Sequence, residues 1–413
     1  MKNKASSKTN TGTRSLIVFD IGSGSVGAAL AILSLKKLPK ILYSTRNAIS
    51  FHETAPRLDK LTKAMLATLL NTMFEVQSVT TQLLKNEGIF LKGKLVDHVL
   101  TTFSSPWATV EIRRLSINKE EPFTMTRQIS ERFVKEAISK FIGEDTKTTP
   151  IKSRNRDLAS VDCEIIRTTL NGYQTSNPYD KPTKRLKIDL GLSAISRDIH
   201  DQTSEIVGEL LPDDSVDFHA FPLASFLAAR DVFEQSDDFV LLDISAEMSD
   251  ISLIENSTLV HLASFTGGRH LIFREISKFL KVPIEETRSL LHLYLCGKMS
   301  QKQESDFIAL MESVKAEWTS SFYLALNKIR KTRPLPKTLL LLADKDLSGL
   351  FKKIIEPQEP QPEYESMPGM QHFEVTVLDG TYLANYITWL GGEWALDPFL
   401  ALDILFYKRK LGI

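Results

Sequence analysis

The first residues whose types and spacing could do chemistry are Asp20-Ile21-Gly22-Ser23-Gly24-Ser25, which close the apolar run Leu16-Ile17-Val18-Phe19. Glycines let backbone N–H groups approach phosphate oxygens, and the Ser23 and Ser25 hydroxyls add donors. Asp20 stands where a hydrated Mg²⁺ needs a carboxylate. A plain hairpin turn rich in Gly and Ser accounts for the same residues, so this loop alone decides nothing. A second strand-turn-strand opens the same way, with Asp243 at the end of Phe239-Val240-Leu241-Leu242.

Composition narrows the chemistry around these loops. At 413 residues the chain is too long for one ordinary core, so two lobes are expected. The 51 Lys plus Arg balance 51 Asp plus Glu, which removes the electrostatic case for a nucleic-acid partner. Two distant cysteines, Cys163 and Cys296, exclude a disulfide framework and a thiolate zinc site, and they suit a reducing compartment. The histidines show no metal-binding spacing. No signal peptide is read, because Asp20 and Gly22 interrupt the first apolar run. No transmembrane segment is expected, since no stretch offers the roughly 18 apolar residues a span requires.

The elements that must position the loops follow from periodicity. Three strands are expected over 16–51, then a helix with Leu61, Met65, Leu69 and Met73 on one face, then a strand at 97–103. The order recurs: three strands over 238–265, a helix from Arg269, and a long helix with Phe307, Met311, Val314, Trp318 and Phe322 on one face. A strand at 337–344 and a short helix complete it. Between the copies lies a strand-helix-strand-strand unit whose helix aligns Ile129, Phe133, Ala137 and Phe141. Two polar or Pro-rich loops are expected at 143–157 and 356–370.

This ordering resembles the FtsA/PilM family of actin-like proteins over nearly the full chain. VFDIGSGSVGAAL looks like the family's first phosphate loop. VLLDISAEMSDISLIENSTLVHLASFTGGRHLIFREI looks like its second hairpin with the following strand, Gly-Gly turn and helix. The segment FHAFPLASFLAARDVF and the inserted unit are similar to the matching family segments. The resemblance implies an α/β fold: a duplicated actin-like (ribonuclease H-like) two-lobed architecture with an inserted strand-helix-strand-strand subdomain. Its expected division is a disordered tail at 1–14, a first lobe at 15–103 and 191–236, an insert at 104–190, and a second lobe at 237–413. It further implies an ATP and Mg²⁺ site formed by Asp20, Gly22, Ser23, Gly24, Ser25, Asp243, Ser245, Asp250, Gly267 and Gly268. Asp20 and Asp243 would meet the metal through Mg-ATP. For Gly267 and Gly268 a strand-to-helix turn requiring positive φ is the competing account.

The departures from the family pattern point the other way. Where the family reads D-I-G-G-G-T-T-D, this chain reads Asp243-Ile244-Ser245-Ala246-Glu247-Met248-Ser249-Asp250. The three lost glycines hinder close backbone approach to phosphate. A Glu247 carboxylate at about 6 Å, with an effective dielectric of about 20, would repel a phosphate by about 3 kcal/mol. That is about a hundredfold in affinity. The adenosine-side Gly-Gly turn is replaced by Ala343-Asp344, with Asp344 and Lys345 read as a helix start. A degenerate ATP site is expected, with no catalytic residue assigned.

The resemblance implies a cytoplasmic scaffold of a bacterial membrane-linked assembly, either cell division or type IV pilus. Its partners would be cytoplasmic tails of membrane proteins, and copies of itself in a dimer or filament, so that it is recruited to the inner face of the membrane. The rival is an active ATPase or phosphotransferase of the same superfold. It needs intact phosphate loops and a carboxylate placed to orient the nucleophile, and the eroded second loop argues against it. The final helix, DPFLALDILFYKRKLGI, is apolar all round, and Lys408, Arg409 and Lys410 at its end are read as a solvated terminus or a lipid contact.

Overall fold

The computed structural model describes residues 12–49, 58–91, 93–143, 157–175, 177–211, 216–330, 334–356, 372–390 and 396–412. Residues 1–11 of the expected tail, and nearly all of the loops expected at 143–157 and 356–370, lie outside these. Thr13 and Arg14, expected in the tail, are already in the first strand.

Strands β1 (Thr13–Ile21), β2 (Ser25–Ser34) and β3 (Lys40–Ala48) form an antiparallel meander, and β4 (His98–Phe103) then pairs parallel with β1. Between β3 and β4 runs helix α1 (Leu58–Asn86), whose Leu61, Met65, Leu69 and Met73 are buried as the 3.6-residue period requires. After the insert, β9 (Asp217–Ala220) extends the sheet beside β4. The second sheet repeats the plan with β10 (Phe239–Ile244), β11 (Met248–Glu255), β12 (Thr258–Thr266) and β13 (Thr338–Ala343). Helices α5 (Arg269–Leu280), α6 (Ile284–Leu295), α7 (Gln301–Arg330) and α8 (Lys345–Ile355) accompany it.

The central strands are buried on both faces, so their apolar runs are continuous. Leu16 and Val18 face one core while Ile17, Phe19 and Ile21 face another. Phe239 and Leu241 join that first core from the second sheet, while Val240, Leu242 and Ile244 turn away. The shared core is filled by α4 (Phe221–Val232) and the final helix (Pro398–Leu411), which lie between the sheets.

Two expected boundaries move. Thr388–Trp389 pairs with β3 of the first sheet, and the final helix packs on β1, β2 and α4. From Thr388 the chain therefore adds to the first sheet and to the layer between the sheets. The reason is burial: a helix that is apolar all round needs cover on every side, and only the layer between the sheets supplies it. The third sheet, of β5 (Ala108–Thr124), β8 (Pro182–Ser196), β6 (Leu158–Leu170) and β7 (Tyr173–Gln174), is backed by α2 (Arg127–Gly143). β8 runs unbroken through the expected boundary at 190/191, because its inner half continues the ladder with β5 and β6 to Ser196.

Gly191 marks where this third sheet docks. A Cβ there would lie 2.9 Å from Leu223 of α4 and 3.2 Å from Ile166. Gly191→Val is expected to cost about 1–3 kcal/mol by overpacking, read as a lower denaturant midpoint with an unchanged m-value.

Candidate functional site

The two hairpin turns expected to cradle phosphate touch each other. The Ser23 and Ser245 hydroxyl oxygens are 3.0 Å apart, and the Glu247 amide donates to Ser23 Oγ at 2.9 Å. A Cβ on Gly24 would lie 2.2 Å from the Ala246 methyl carbon, so glycine is required there for the approach of the second hairpin. The first turn is held from behind by Trp107, whose Nε1–H donates to the Gly22 carbonyl at 2.9 Å, and by the Ile49 amide on the Gly24 carbonyl at 2.9 Å.

The second turn is held by the start of α5. Arg269 and His270 amides donate to the Ser245 and Ala246 carbonyls at 3.0 and 2.9 Å, and the Gly267 and Gly268 amides reach the Glu247 carbonyl at 3.3 Å. A helix N-terminus is a ready anion site, but here turn carbonyls already take these donors. Gly267 and Gly268 do not have positive φ, contrary to the turn-based expectation. They are glycines because of close approach. A Cβ on Gly268 would lie 2.2 Å from the Ala246 carbonyl oxygen, and one on Gly267 would lie 2.6 Å from the Phe265 ring.

Glu247 does not face the space between the hairpins as a bare charge. Its carboxylate is paired with Arg274 at 3.0 Å and with His270 Nδ1 at 3.0 Å, both on α5. Burial alone would raise its pKa, but the His270 and Arg274 hydrogen bonds outweigh burial and hold it below the ordinary range. Burial depresses His270 in turn, so the ring is a neutral donor. The expected repulsion of about 3 kcal/mol is therefore cancelled by a cation inside the fold. Asp344, at the end of β13, ion-pairs with Arg269, and Lys345 begins α8 as expected.

Beneath the hairpins lies a buried acidic layer. By strand alternation Asp20 shares a face with Leu16 and Val18, and Asp243 shares one with Phe239 and Leu241, so both point into the layer between the sheets. Arg46 of β3 bridges Asp20 at 2.7 Å and Asp397 at 2.6 Å, and also donates to Ser25 Oγ at 3.1 Å. Burial opposes the Arg46 charge, but Asp397 and Asp20 outweigh it. Asp20 itself is raised by burial against the pull of Arg46. Asp250 accepts from Ser105 at 2.8 Å and from Ser264, and burial raises it despite these bonds. Asp403, inside the final helix, accepts from Thr102 at 2.7 Å and is pushed well above the carboxylate range by burial and by Asp20. Neither carboxyl oxygen of Asp243 has a hydrogen-bond partner, and burial, Asp250 and Asp20 push it well up.

As arranged, these residues do not fit a magnesium–polyphosphate. The space between the turns is taken by the Ser23–Ser245 contact and the Ala246 methyl, and the Asp20 carboxylate is committed to Arg46. Both oxygens of Asp243, and one oxygen each of Asp20 and Asp403, are buried without a hydrogen-bond partner and are the atoms that a cation would satisfy. Sequence reasoning brought Asp20, Ser23, Ser25, Asp243, Ser245 and Asp250 to one place but missed Arg46, Asp397, Asp403, His270 and Arg274. Asp403 had a visible signal, a lone acid inside DPFLALDILFY. Arg46 had none beyond its position in a strand.

No protein-family model and no curated protein matches the chain. Among solved structures, a PilM–PilN type IV pilus biogenesis complex matches with a TM-score of 0.56 at 12% identity, over 96% of this chain and 98% of that one. The chain has the actin-like ATPase fold. The ethanolamine utilization protein EutJ of Carboxydothermus hydrogenoformans scores 0.41 at 10% identity over 95% and 88% of the two chains. A Bacteroides thetaiotaomicron protein with actin-like ATPase fold scores 0.36 at 11% identity over 83% and 88%. Among the described residues no helix is long and apolar enough to cross a membrane.

The acidic layer has a pH signature. A carboxyl whose folded pKa is raised contributes stability that is full below its unfolded value of about 3.9 and is lost as pH rises. Asp243→Asn removes that loss. It is expected to melt higher than wild type at pH 8 by the equivalent of about 1–3 kcal/mol, with the advantage shrinking toward pH 4. Parallel melting curves across that range check it.

Proposed function

We propose that this chain is a PilM-like scaffold of the FtsA/PilM group, serving a type IV pilus assembly in preference to cell division. It works in the cytoplasm and is held at the inner face of the membrane by the cytoplasmic tails of its partners. The observation that carries this reading is the direct seating of the Ser23 hydroxyl between the Ser245 hydroxyl and the Glu247 amide. Protein atoms take bonds that a polyphosphate would otherwise take, which supports reading the ATP site as degenerate. The likeness in fold to a chain from a PilM–PilN complex supports the choice of assembly.

Partner recognition falls to the third sheet, which interrupts the duplicated plan and has its own small core with α2. The division that follows is a first lobe built by residues 13–103, 197–236 and 388–412, an insert at 104–196, and a second lobe at 237–387. Among the described residues the insert's edge strand β5 pairs with β8 alone, leaving backbone groups that an extended tail, or a second copy of the chain, could join.

One observation favours the rival, an active ATPase: the bare buried carboxyl of Asp243 is a seat that a cation would fill. Two measurements separate the readings. Wild-type protein should turn over Mg-ATP at less than about one per second, and faster turnover would sink the scaffold reading. Ser245→Gly, Ala246→Gly and Glu247→Gly combined should remove the bridge and the methyl, and raise Mg-ATP affinity by titration calorimetry. No gain in the triple variant would mean that phosphate does not bind between these turns. For the partner, full-length protein should capture at least one cytoplasmic tail in a two-hybrid screen of its own genome's membrane proteins.

A further inference from the structure

The third sheet has one face covered by α2 and another that is only half covered. Along β8, Leu186, Ile188, Leu190 and Leu192 face α2. The alternating residues face the other way, and the inner part of that outer face, around Gly191, packs against Leu223 of α4. Its distal half is exposed and basic. Asp189 there has Arg114 of β5 as one cross-strand neighbour and Arg167 of β6 as the other. Arg114 grips Asp189 through Nε at 2.6 Å and a terminal nitrogen at 3.2 Å, and Arg167 grips it at 3.0 and 2.8 Å.

This arrangement presents charge instead of hiding it. One carboxylate faces two guanidiniums, and Asp189 is 5% exposed while Arg114 is 46% exposed. Each guanidinium spends Nε and one terminal nitrogen on Asp189, so its other N–H groups remain for a second acceptor. Two residues outward, Lys187 lies between Ser116 and Thr169, and Arg185 follows opposite Asn118. Both cations are exposed. The acidic residues nearest the lobe on this face, Asp162 and Glu164, lie instead in the field of His219 or each other. Around Asp189 these four cations outnumber the one carboxylate they surround, and the next acids along β5, Glu120 and Glu121, lie beyond Asn118 at its far end.

We propose that this outer face, at Arg114, Arg167, Lys187 and Arg185, docks an acidic peptide segment of a partner protein. The proposal rests on the reading of the third sheet as the recognition module. Arg pairs pre-set in fork geometry suit carboxylates. Arg114 also lies on the unpaired edge of β5, so an extended segment added there would direct alternate side chains onto this face. A lipid surface is the poorer fit, because the residues beside the four cations on this face, Ser116, Asn118 and Thr169, are polar.

The test uses the full chain and a short fluorescent peptide alternating Glu and Thr, with a Gln–Thr peptide for comparison. The Glu–Thr peptide should bind, weaken as salt rises, and bind at least about tenfold more tightly than the Gln–Thr peptide. Arg114→Lys with Arg167→Lys, and separately Lys187→Glu, should each weaken it by about tenfold. Lys187 is exposed, so its variant keeps the fold, which thermal melting checks. Equal binding of both peptides, or unchanged affinity in both variants, would overturn the proposal. So would vesicles containing phosphatidylserine that bind through these residues while the peptide does not. The same variants enter the tail-capture assay. A tail captured by wild type and by both variants defeats this surface but leaves the scaffold reading standing, whereas no capture by wild type defeats the scaffold reading itself.

Discussion

Two apolar strands, Thr13–Ile21 and Phe239–Ile244, each place an aspartate on the face that meets the layer between the sheets. Strand periodicity forces this, since Asp20 and Asp243 stand an even number of residues from the core positions before them. Charge in such a layer is costly unless it is paired or neutralised. Arg46 supplies the pairing for Asp20, and it can do so because Gly27 lies across from it; a Cβ on Gly27 would come within 2.7 Å of the guanidinium. Asp397 completes the bridge while capping the final helix through the Phe399 and Leu400 amides. Asp243 and Asp403 lack a comparable cation, and burial drives them toward the protonated form.

The glycines retained and the glycines lost in the cleft are one fact seen from two sides. Ala246 takes a glycine position of the family pattern, and its methyl stands against Gly24 while its carbonyl stands against Gly268. A side chain at either of those glycines would force the second hairpin away. A glycine at 246 would instead open a gap between the turns. The hydrogen bonds point the same way, since the Glu247 amide is satisfied by Ser23 and the α5 amides by turn carbonyls. A ligand phosphate would have to displace bonds already made within the protein, and only the surplus would appear as affinity.

Much of this was legible in the sequence. The duplicated strand order and the buried faces of α1 and α7 followed from periodicity, whereas a shared site for the two turns was implied by the family resemblance. What was not legible depended on tertiary placement. Glu247 was read as a repulsive charge because its partners, His270 and Arg274, lie on a helix more than twenty residues later whose facing a sequence does not state. Gly267 and Gly268 were read through backbone conformation, whereas the reason is the passage of another segment. The addition of residues 388–411 to the first sheet and the layer between the sheets was hidden because a two-residue strand has no periodicity to detect.

The end of the final helix shows how the third sheet is tied to the first sheet. Arg409 pairs with Asp231, Lys408 donates to the Lys37 carbonyl, and Lys410 meets Asp217 at 3.0 Å. The basic terminus is therefore tied to the first lobe by exposed ion pairs. Lys410 also donates to His219 Nε2 at 2.7 Å, which directs the Nδ1 proton at Asp162 of β6, 3.1 Å away. The exposed pairs in this set contribute little singly. The buried Asp162–His219 pair contributes more, because Asp162 also accepts from the Ala220 amide at 3.0 Å and so joins β6 to the strand that leads into α4. The inner end of the third sheet is fixed by these bonds and by the Gly191–Leu223 contact. Among the described residues its distal end, carrying the paired arginines, has no bond of this kind to the first lobe.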